Sequence, residues 1–121
     1  MSSAPLYEQT LALAAVLCEV LDAAEDHAGL RGEVREGLLA LVDRVALAVA
    51  GIERARNLAA ADAALCVLRA RLDLAHRCGL WDEALHLAAA ERTEVIGRQL
   101  GGWLRSLARE NACATRRGVP A

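Results

Sequence analysis

Residues 57–79 read NLAAADAALCVLRARLDLAHRCG, and this stretch decides the fold. Its apolar side chains recur in steps of 3, 4, 3, 4 and 3, at Leu58, Ala61, Leu65, Leu68, Leu72 and Ala75. Such steps place one apolar stripe along a helix, as in the seams of helix bundles. Asn57 is a residue type that often caps the first turn, and Gly79 suits the position after the last turn. The pattern predicts a helix over residues 57–78 that packs against other helices.

The composition of the whole chain extends this prediction to an all-α protein. Alanine (27 residues) and leucine (21 residues) are the commonest types among the 121 positions, and both are strong helix formers. The two prolines, Pro5 and Pro120, lie at the ends, so the middle is free of helix breakers. Phe is absent, and Val, Ile and Thr do not alternate with polar residues, so strands have no support.

Three further helices follow from the hydrophobic periodicity, over residues 5–26, 31–54 and 82–109, with Asp82 as the cap of the last. We expect the following residues to be buried: in the first helix Leu6, Leu13, Leu17, Val20, Leu21 and Ala24; in the second Val34, Leu38, Leu41, Val42, Val45, Val49 and Ile52; and in the last Leu85, Ala88, Ala89, Ile96, Leu100, Trp103 and Leu107. Short connections between long helices favour antiparallel neighbours. We therefore predict a single-domain, up-down-up-down antiparallel four-helix bundle over residues 1–110. A flexible basic tail is expected over residues 111–121.

The charges are unevenly distributed along the chain, although the formal net charge is only −2. Residues 1–27 contain five acids and no arginine, whereas residues 92–121 contain six arginines and two acids. Three of these arginines, Arg98, Arg105 and Arg109, fall within about 40° of one another on the last helix, given 100° per residue. Arg116 and Arg117 extend the charge into the tail. This distribution indicates either a basic surface for phosphates or an ordinary solvated surface.

No set of residues in the sequence points to catalysis, to a cofactor or to a metal. The three serines are not in a GxSxG setting, and a single Glu-x-x-His pair, Glu83 with His86, is too few for a di-iron bundle. The four cysteines lack close pairing, so we expect reduced thiols. A metal or redox bundle built on Cys66, Cys78, His76 and His86 is a remote alternative. The sequence has no apolar run of membrane-spanning length and no signal peptide, so we expect a cytoplasmic protein. Because it has no catalytic set of residues, we expect that it is not an enzyme.

Two surface strips predict self-association. The second helix has an apolar strip beyond its core face, formed by Leu39, Ala46, Leu47 and Ala50. The last helix has small residues beside its core face, including Gly97 and Gly101. Glycine inside a helix costs about 1 kcal/mol relative to alanine, and close approach of another helix would offset that cost. The outward face of the third helix, which contains Ala70, has no comparable feature in this interpretation.

Three segments resemble one protein family. Residues 34–42 (VREGLLALV) look like the second helix, and residues 72–80 (LDLAHRCGL) like the end of the third helix, of accessory variability determinant (Avd) proteins. These four-helix-bundle proteins belong to diversity-generating retroelements, within a wider family that includes the 23S rRNA intervening-sequence proteins. Residues 96–106 (IGRQLGGWLRS) resemble the Avd sequence IGRMLGGWLKS almost position for position. The resemblance covers about residues 30–108.

The resemblance implies a function as well as a fold. It implies a homopentameric ring that binds the reverse transcriptase of the same element and its template RNA, and thereby supports mutagenic retrohoming. Arg98 and Arg105 are the two basic positions that match the family segment. The alternative is a stand-alone oligomeric bundle of the intervening-sequence type, with a structural or unassigned role.

Overall fold

A computed structural model describes residues 4–23 and 29–116 of the chain. It contains four helices: α1 (Ala4–Ala23), α2 (Leu30–Val49), α3 (Arg54–Arg77) and α4 (Glu83–Arg116). Helix α2 packs on α3, α3 on α4, and α1 on both α2 and α4, so the helices form a closed square. The described residues contain no strand. The predicted all-α four-helix bundle is confirmed.

The core lies where the apolar stripes of the four helices meet. All six stripe residues predicted for α3 are buried, and Leu58, Ala61, Leu68 and Ala75 are fully inaccessible. The other helices contribute Leu6, Leu13, Leu17 and Leu21 of α1; Val34, Leu38, Leu41, Val45 and Ala48 of α2; and Ala89, Ile96, Leu100 and Trp103 of α4. Four further predicted core residues, Val20, Val49, Leu85 and Leu107, are partly buried against this cluster. Ala24 lies outside the described residues.

The end of α3 confirms the predicted role of Gly79. Gly79 has φ +79°, a left-handed conformation that glycine adopts without steric strain. Its amide donates to the His76 carbonyl, and the Leu80 amide donates to the Ala75 carbonyl. These two bonds form a Schellman motif, which satisfies carbonyls at the end of the helix.

Helix α2 ends five residues earlier than predicted. Gly51 has φ +82°, and its amide donates to the Ala48 carbonyl, while the Ile52 amide donates to the Leu47 carbonyl. This second Schellman motif stops the helix at Val49, because the left-handed residue turns the chain away from the helix axis. The prediction of Ile52 as a core residue was therefore wrong, and its side chain is 51% exposed.

The start of α3 also differs from the prediction. The helix begins at Arg54 after Glu53, so Asn57 lies inside the first turn and is not the cap. Its buried side chain instead forms hydrogen bonds both to the connection between α2 and α3 and to an arginine of α2. Nδ2 donates to the Ile52 carbonyl at 2.6 Å, and Oδ1 accepts from Nη1 of Arg44 at 3.1 Å.

Helix α4 starts as predicted but ends later. Asp82 caps it, because Oδ1 accepts the Leu85 amide at 2.9 Å. The helix continues to Arg116, so residues 111–116 are helical rather than a flexible tail. Neither glycine nor proline occurs between residues 103 and 117, and nothing in that stretch stops the helix. Residues 117–121 lie outside the described part of the chain.

One core position on α4 was assigned to the wrong residue. Ala88 is exposed, whereas Thr93 is buried. Thr93 completes a seam with Ala89, Ile96, Leu100 and Trp103 in steps of 4, 3, 4 and 3. Its hydroxyl donates to the Ala90 carbonyl at 2.9 Å, so this polar residue occupies the core without an unsatisfied donor.

Trp103 is buried, as predicted, with 6% of its surface exposed. The guanidinium of Arg54 lies over the indole, 5.1 Å from the ring centroid. Arg54 also donates through Nε to the Ala48 carbonyl at the end of α2. One corner of the bundle is thus held by an aromatic ring, a cation above it and a helix end.

Replacing Trp103 by alanine is expected to lower the free energy of unfolding by about 3 kcal/mol or more, since it leaves a large cavity in the core. Urea unfolding followed by circular dichroism measures the change. Arg54→Ala is the matched control, because it removes the cation and leaves the ring. Its expected effect is about 1 kcal/mol. Equal losses for the two variants would contradict burial as the main contribution of Trp103.

Replacing Asn57 by alanine is expected to destabilise the bundle by about 1–3 kcal/mol, because Arg44 loses an acceptor and the Ile52 carbonyl loses a donor. Asn57→Asp keeps an acceptor for Arg44, now charged, and replaces the Nδ2 donor by an oxygen that repels the Ile52 carbonyl, so a loss that persists in this variant is assigned to the Ile52 bond. Both variants are compared with wild type by urea unfolding. A loss below the precision of the measurement for Asn57→Ala would show that neither bond contributes.

Candidate functional site

The groove between α3 and α4 collects three arginines. It has a volume of about 540 Å³ and is lined by Arg69, Arg98 and Arg105 together with Asp62, Leu65, Cys66, Glu94 and Gly97. Arg98 and Arg105 are two of the binding residues predicted from the sequence. Arg69 belongs to α3 and was not predicted. We call this set of residues the arginine groove.

Arg69 is fixed in the arginine groove by α4. Its Nη2 donates to the Thr93 carbonyl at 2.8 Å, which ties the outer edge of α3 to the backbone of α4. The guanidinium lies directly over Gly97, where an added Cβ would be 2.8 Å from Nη2. Any other residue at position 97 would displace the Arg69 guanidinium, so the glycine makes this cross-helix bond possible.

Arg105 uses the next turn of α4 in the same way. A Cβ at Gly101 would lie 3.2 Å from Nη1 of Arg105, because this side chain folds back along its own helix. The two glycines are four residues apart and therefore on one face of α4. Gly97 and Gly101 were predicted as an oligomer interface; within one chain, each already has a guanidinium above it.

Two guanidinium groups in the groove have no partner among the described residues. Among the residues that the structure describes, Arg98 and Arg105 make no hydrogen bond or ion pair, and both are exposed. Asp62 and Glu94 lie in the same groove, so the local charge is three cations against two carboxylates. A guanidinium pairs bidentately with carboxylate or phosphate oxygens. The groove can therefore accept an anionic group at its Arg98–Arg105 side.

The other predicted binding arginines are farther along α4. Arg109 is exposed and lines a separate cleft with Ser106, Glu110 and Cys113. It follows Arg105 by one helical turn and can extend the basic surface beyond the groove. Arg116 is the last residue of α4, and its side chain lies outside the described part of the structure, as does all of Arg117.

The apolar strip predicted on α2 lies on the surface. Leu39 is 49% exposed and Leu47 is 36% exposed, and Ala46 and Ala50 are also exposed. Two exposed acids, Glu36 and Asp43, lie on the same outward face and interrupt the strip. The structure brings these residues to one face of α2, on the side away from the core.

The histidines and cysteines form no metal site in the described residues. The rings of His76 and His86 stack with centroids 4.1 Å apart, and Nε2 of His86 lies 3.8 Å from Oδ1 of Asp73. This pair joins the end of α3 to the start of α4. Cys18, Cys66, Cys78 and Cys113 are all free thiols. No described helix has the length and apolar character needed to span a bilayer.

Arg69 could not be found from the periodicity of α3 alone, because a single arginine beside a core stripe is common. The signal lay on the facing helix, where Gly97 interrupts a well-formed helical pattern at the height of Arg69 in the antiparallel pair. A glycine opposite a long side chain indicates that the side chain crosses the helix there.

Comparisons with protein-family models, with curated proteins and with solved structures found no match to this chain. The resemblance of residues 34–42, 72–80 and 96–106 to the Avd family therefore rests on these residues themselves.

Proposed function

We propose that the protein is a non-catalytic accessory subunit that binds other macromolecules through the arginine groove. Following the resemblance of residues 96–106, its partners are the reverse transcriptase of a diversity-generating retroelement and the template RNA of that element. The observation that carries this proposal is the meeting of Arg98 and Arg105 with Arg69 in one groove, where the first two bind no other residue of the ranges 4–23 and 29–116.

The residues of the segment that resembles the Avd family occupy three kinds of position in this bundle. Ile96, Leu100 and Trp103 are buried and hold α4 in the core. Gly97 and Gly101 leave room for guanidinium groups on the adjoining face. Arg98 and Arg105 then project from a helix whose position is fixed. A contact surface on a rigid helix loses little conformational freedom on binding, which supports its use in recognition.

The arrangement of the helices separates the groove from the acidic N-terminal part of the chain. Helix α1 contacts α2 and α4 but not α3 over the described residues, so it is diagonal to α3 in the square. Its exposed acids Glu8 and Glu19 consequently belong to the other side of the bundle. A net charge of −2 is compatible with an anion-binding surface when the charges are segregated in this way.

Oligomerisation would strengthen the binding of a partner that a single arginine groove binds weakly. Several copies of one groove on a rigid assembly bind a long RNA or a multi-site partner with an avidity that no single groove has. This is the role of the homopentameric ring implied by the resemblance, and we propose that the protein forms such an assembly in the cytoplasm.

The assembly is tested by light scattering coupled to gel filtration. A pentamer has a mass about five times the 12.8 kDa of one chain. The measurement is made over a range of concentrations, because dissociation on dilution distinguishes an association equilibrium from a fixed particle. A monomer at every concentration would remove the ring, and with it the avidity argument.

The contact surface is tested by reversing its charge. The double variant Arg98→Glu/Arg105→Glu should lose co-purification with the reverse transcriptase of the proposed element, since two cations become two anions. Arg92→Glu makes the same substitution at an arginine outside the groove; it is compared with the single variants Arg98→Glu and Arg105→Glu and should retain the complex. An unchanged complex in the groove variant would exclude these arginines from the contact.

RNA binding is measured on the same variants by gel shift at two salt concentrations. Each phosphate contact contributes to the dependence of affinity on salt, so the groove variant should bind more weakly and with a smaller salt dependence. If wild type forms no complex with either the reverse transcriptase or RNA, the stand-alone bundle of the intervening-sequence type replaces this proposal.

A further inference from the structure

The outer face of α3 has an apolar stripe that no helix of the bundle covers. It consists of Ala60, Ala63, Val67, Ala70 and Leu74, which we call the α3 stripe. Val67 is 48% exposed and Leu74 is 51% exposed, and Ala63 and Ala70 are exposed as well. Arg56 and Arg77 bound it at its two ends, and Arg71 lies at its edge, where its guanidinium is bound to the Glu33 carbonyl of α2. It therefore offers an apolar contact about three helical turns or more in length.

The spacing of the α3 stripe is that of a second helix-packing seam. Its residues follow one another in steps of 3, 4, 3 and 4, two positions ahead of the buried seam that starts at Leu58. Two positions correspond to 200° around a helix, so the two seams lie on nearly opposite faces. Helix α3 is thus built to pack on both sides, and the described residues occupy one of them.

We propose that the α3 stripe packs against the α3 stripe of a second copy of this chain, with the two helices antiparallel and a two-fold axis at Val67. Antiparallel pairing about that residue places Val67 against its own counterpart. It also places Ala60 opposite Leu74 of the second copy, and Ala63 within one residue of Ala70, roughly 1.5 Å along the axis. Arg71, which is level with Ala63, is bound to the Glu33 carbonyl of its own α2. Small residues then meet small ones beside the axis, which lets the helices approach, and a large residue meets a small one farther out.

The charges at the ends of the α3 stripe also match in this arrangement. In one chain, Arg56 lies 3.5 Å from Glu53, and Arg77 lies 3.3 Å from Asp73. Antiparallel pairing brings the Arg56–Glu53 pair of one copy next to the Arg77–Asp73 pair of the other. The four charges at each end sum to zero. Arg77 is then four residues along the axis from Glu53 of the other copy, roughly 6 Å at 1.5 Å per residue, which is within reach of its side chain.

Other exposed apolar groups of the chain fit a second copy less well. The α2 strip contains Glu36 and Asp43, whose burial without a partner would oppose association. Leu87, on the outer side of α4, is 59% exposed but is followed by exposed Glu91 and Glu94 on the same helix. The α3 stripe is uninterrupted and bounded by balanced charges.

This contact is separate from the proposed function. It is isologous, so it joins two copies and then is complete. In a protein that also forms rings it would join two rings, and in a protein that does not it would form a dimer. Neither case depends on Arg98 or Arg105. The arginine groove lies on the α4 side of α3, and Cys66 lies between that groove and the α3 stripe.

Cys66 provides a direct test, because it precedes Val67 and its thiol is free and exposed. In the proposed pairing, the two Cys66 residues are offset by two residues, roughly 3 Å along the axis. The two Cys78 residues are offset by 22 residues, roughly 33 Å. A full-length chain that retains only Cys66 should be cross-linked to itself by a short bismaleimide. A chain that retains only Cys78, which is also exposed, should not.

The expected yield of cross-linked dimer is roughly ten-fold or more higher for the Cys66 chain, because thiols held in one contact react at a high effective concentration. Val67→Glu in the Cys66 chain should abolish the cross-link, since it opposes two carboxylates at the axis. Leu87→Glu is the matched control and should leave the cross-link intact. Circular dichroism verifies that both variants keep their helices.

Equal cross-linking of the Cys66 and Cys78 chains would overturn the proposal, as would a cross-link that survives Val67→Glu. A Cys66 chain that stays monomeric by sedimentation and is not cross-linked at high concentration would overturn it as well. Complex formation with the reverse transcriptase or RNA is read separately. Loss of the groove function leaves this result unaffected, and the converse also holds.

Discussion

The buried seam of α3 sets the positions of the other helices. Helix α3 packs on α2 along one edge and on α4 along the other, and its six seam residues are all buried between them. Burying a leucine side chain stabilises a fold by about 1.5–3 kcal/mol, so Leu58, Leu65, Leu68 and Leu72 supply a large share of what the domain needs. Because the seam sets the rotation of α3 about its own axis, it also determines which α3 side chains can reach α2 and which can reach α4.

Arginine side chains use those edges to tie the helices together. Within the described residues, Arg44 binds Asn57, Arg54 the Ala48 carbonyl, Arg69 the Thr93 carbonyl and Arg71 the Glu33 carbonyl, each in another segment of the bundle. A guanidinium has five donors in a planar fork, so it can bind a carbonyl through one nitrogen while its face or its other donors remain in use. Arg54 illustrates this, since it donates to a carbonyl and covers Trp103. The cations of this chain, all of them arginine, thus have structural as well as surface roles.

The sequence was sufficient to predict the elements whose signals are local and periodic. The seam of α3, the cap at Asp82 and the left-handed Gly79 follow from spacing and residue type, and the structure has them. Gly51 was missed because apolar residues continue on both sides of it, which made the stop look like part of a helix. Thr93 was missed because a threonine is expected in the core only when its hydroxyl has an acceptor there, and the sequence alone does not show that acceptor. The α3 stripe was missed for a third reason: in a chain with 27 alanines, exposed alanines such as Ala70 attract no notice until the burial of their neighbours is known.

Gly97 and Gly101 show why the candidate site required coordinates. Glycine within a helix costs about 1 kcal/mol relative to alanine, and a sequence indicates only that something offsets this cost. Close approach of a second helix is one such return, and room for a guanidinium is another. In this bundle the space is taken by guanidinium groups: Arg69 over Gly97 from α3, and Arg105 over Gly101 from α4 itself. The bond from Arg69 to the Thr93 carbonyl is of the kind, charged donor to neutral acceptor, that contributes about as much as one such glycine costs. The two glycines are therefore explained inside a single chain, and the α4 face that they open belongs to the arginine groove. A helix from another copy has a better surface on the outer face of α3.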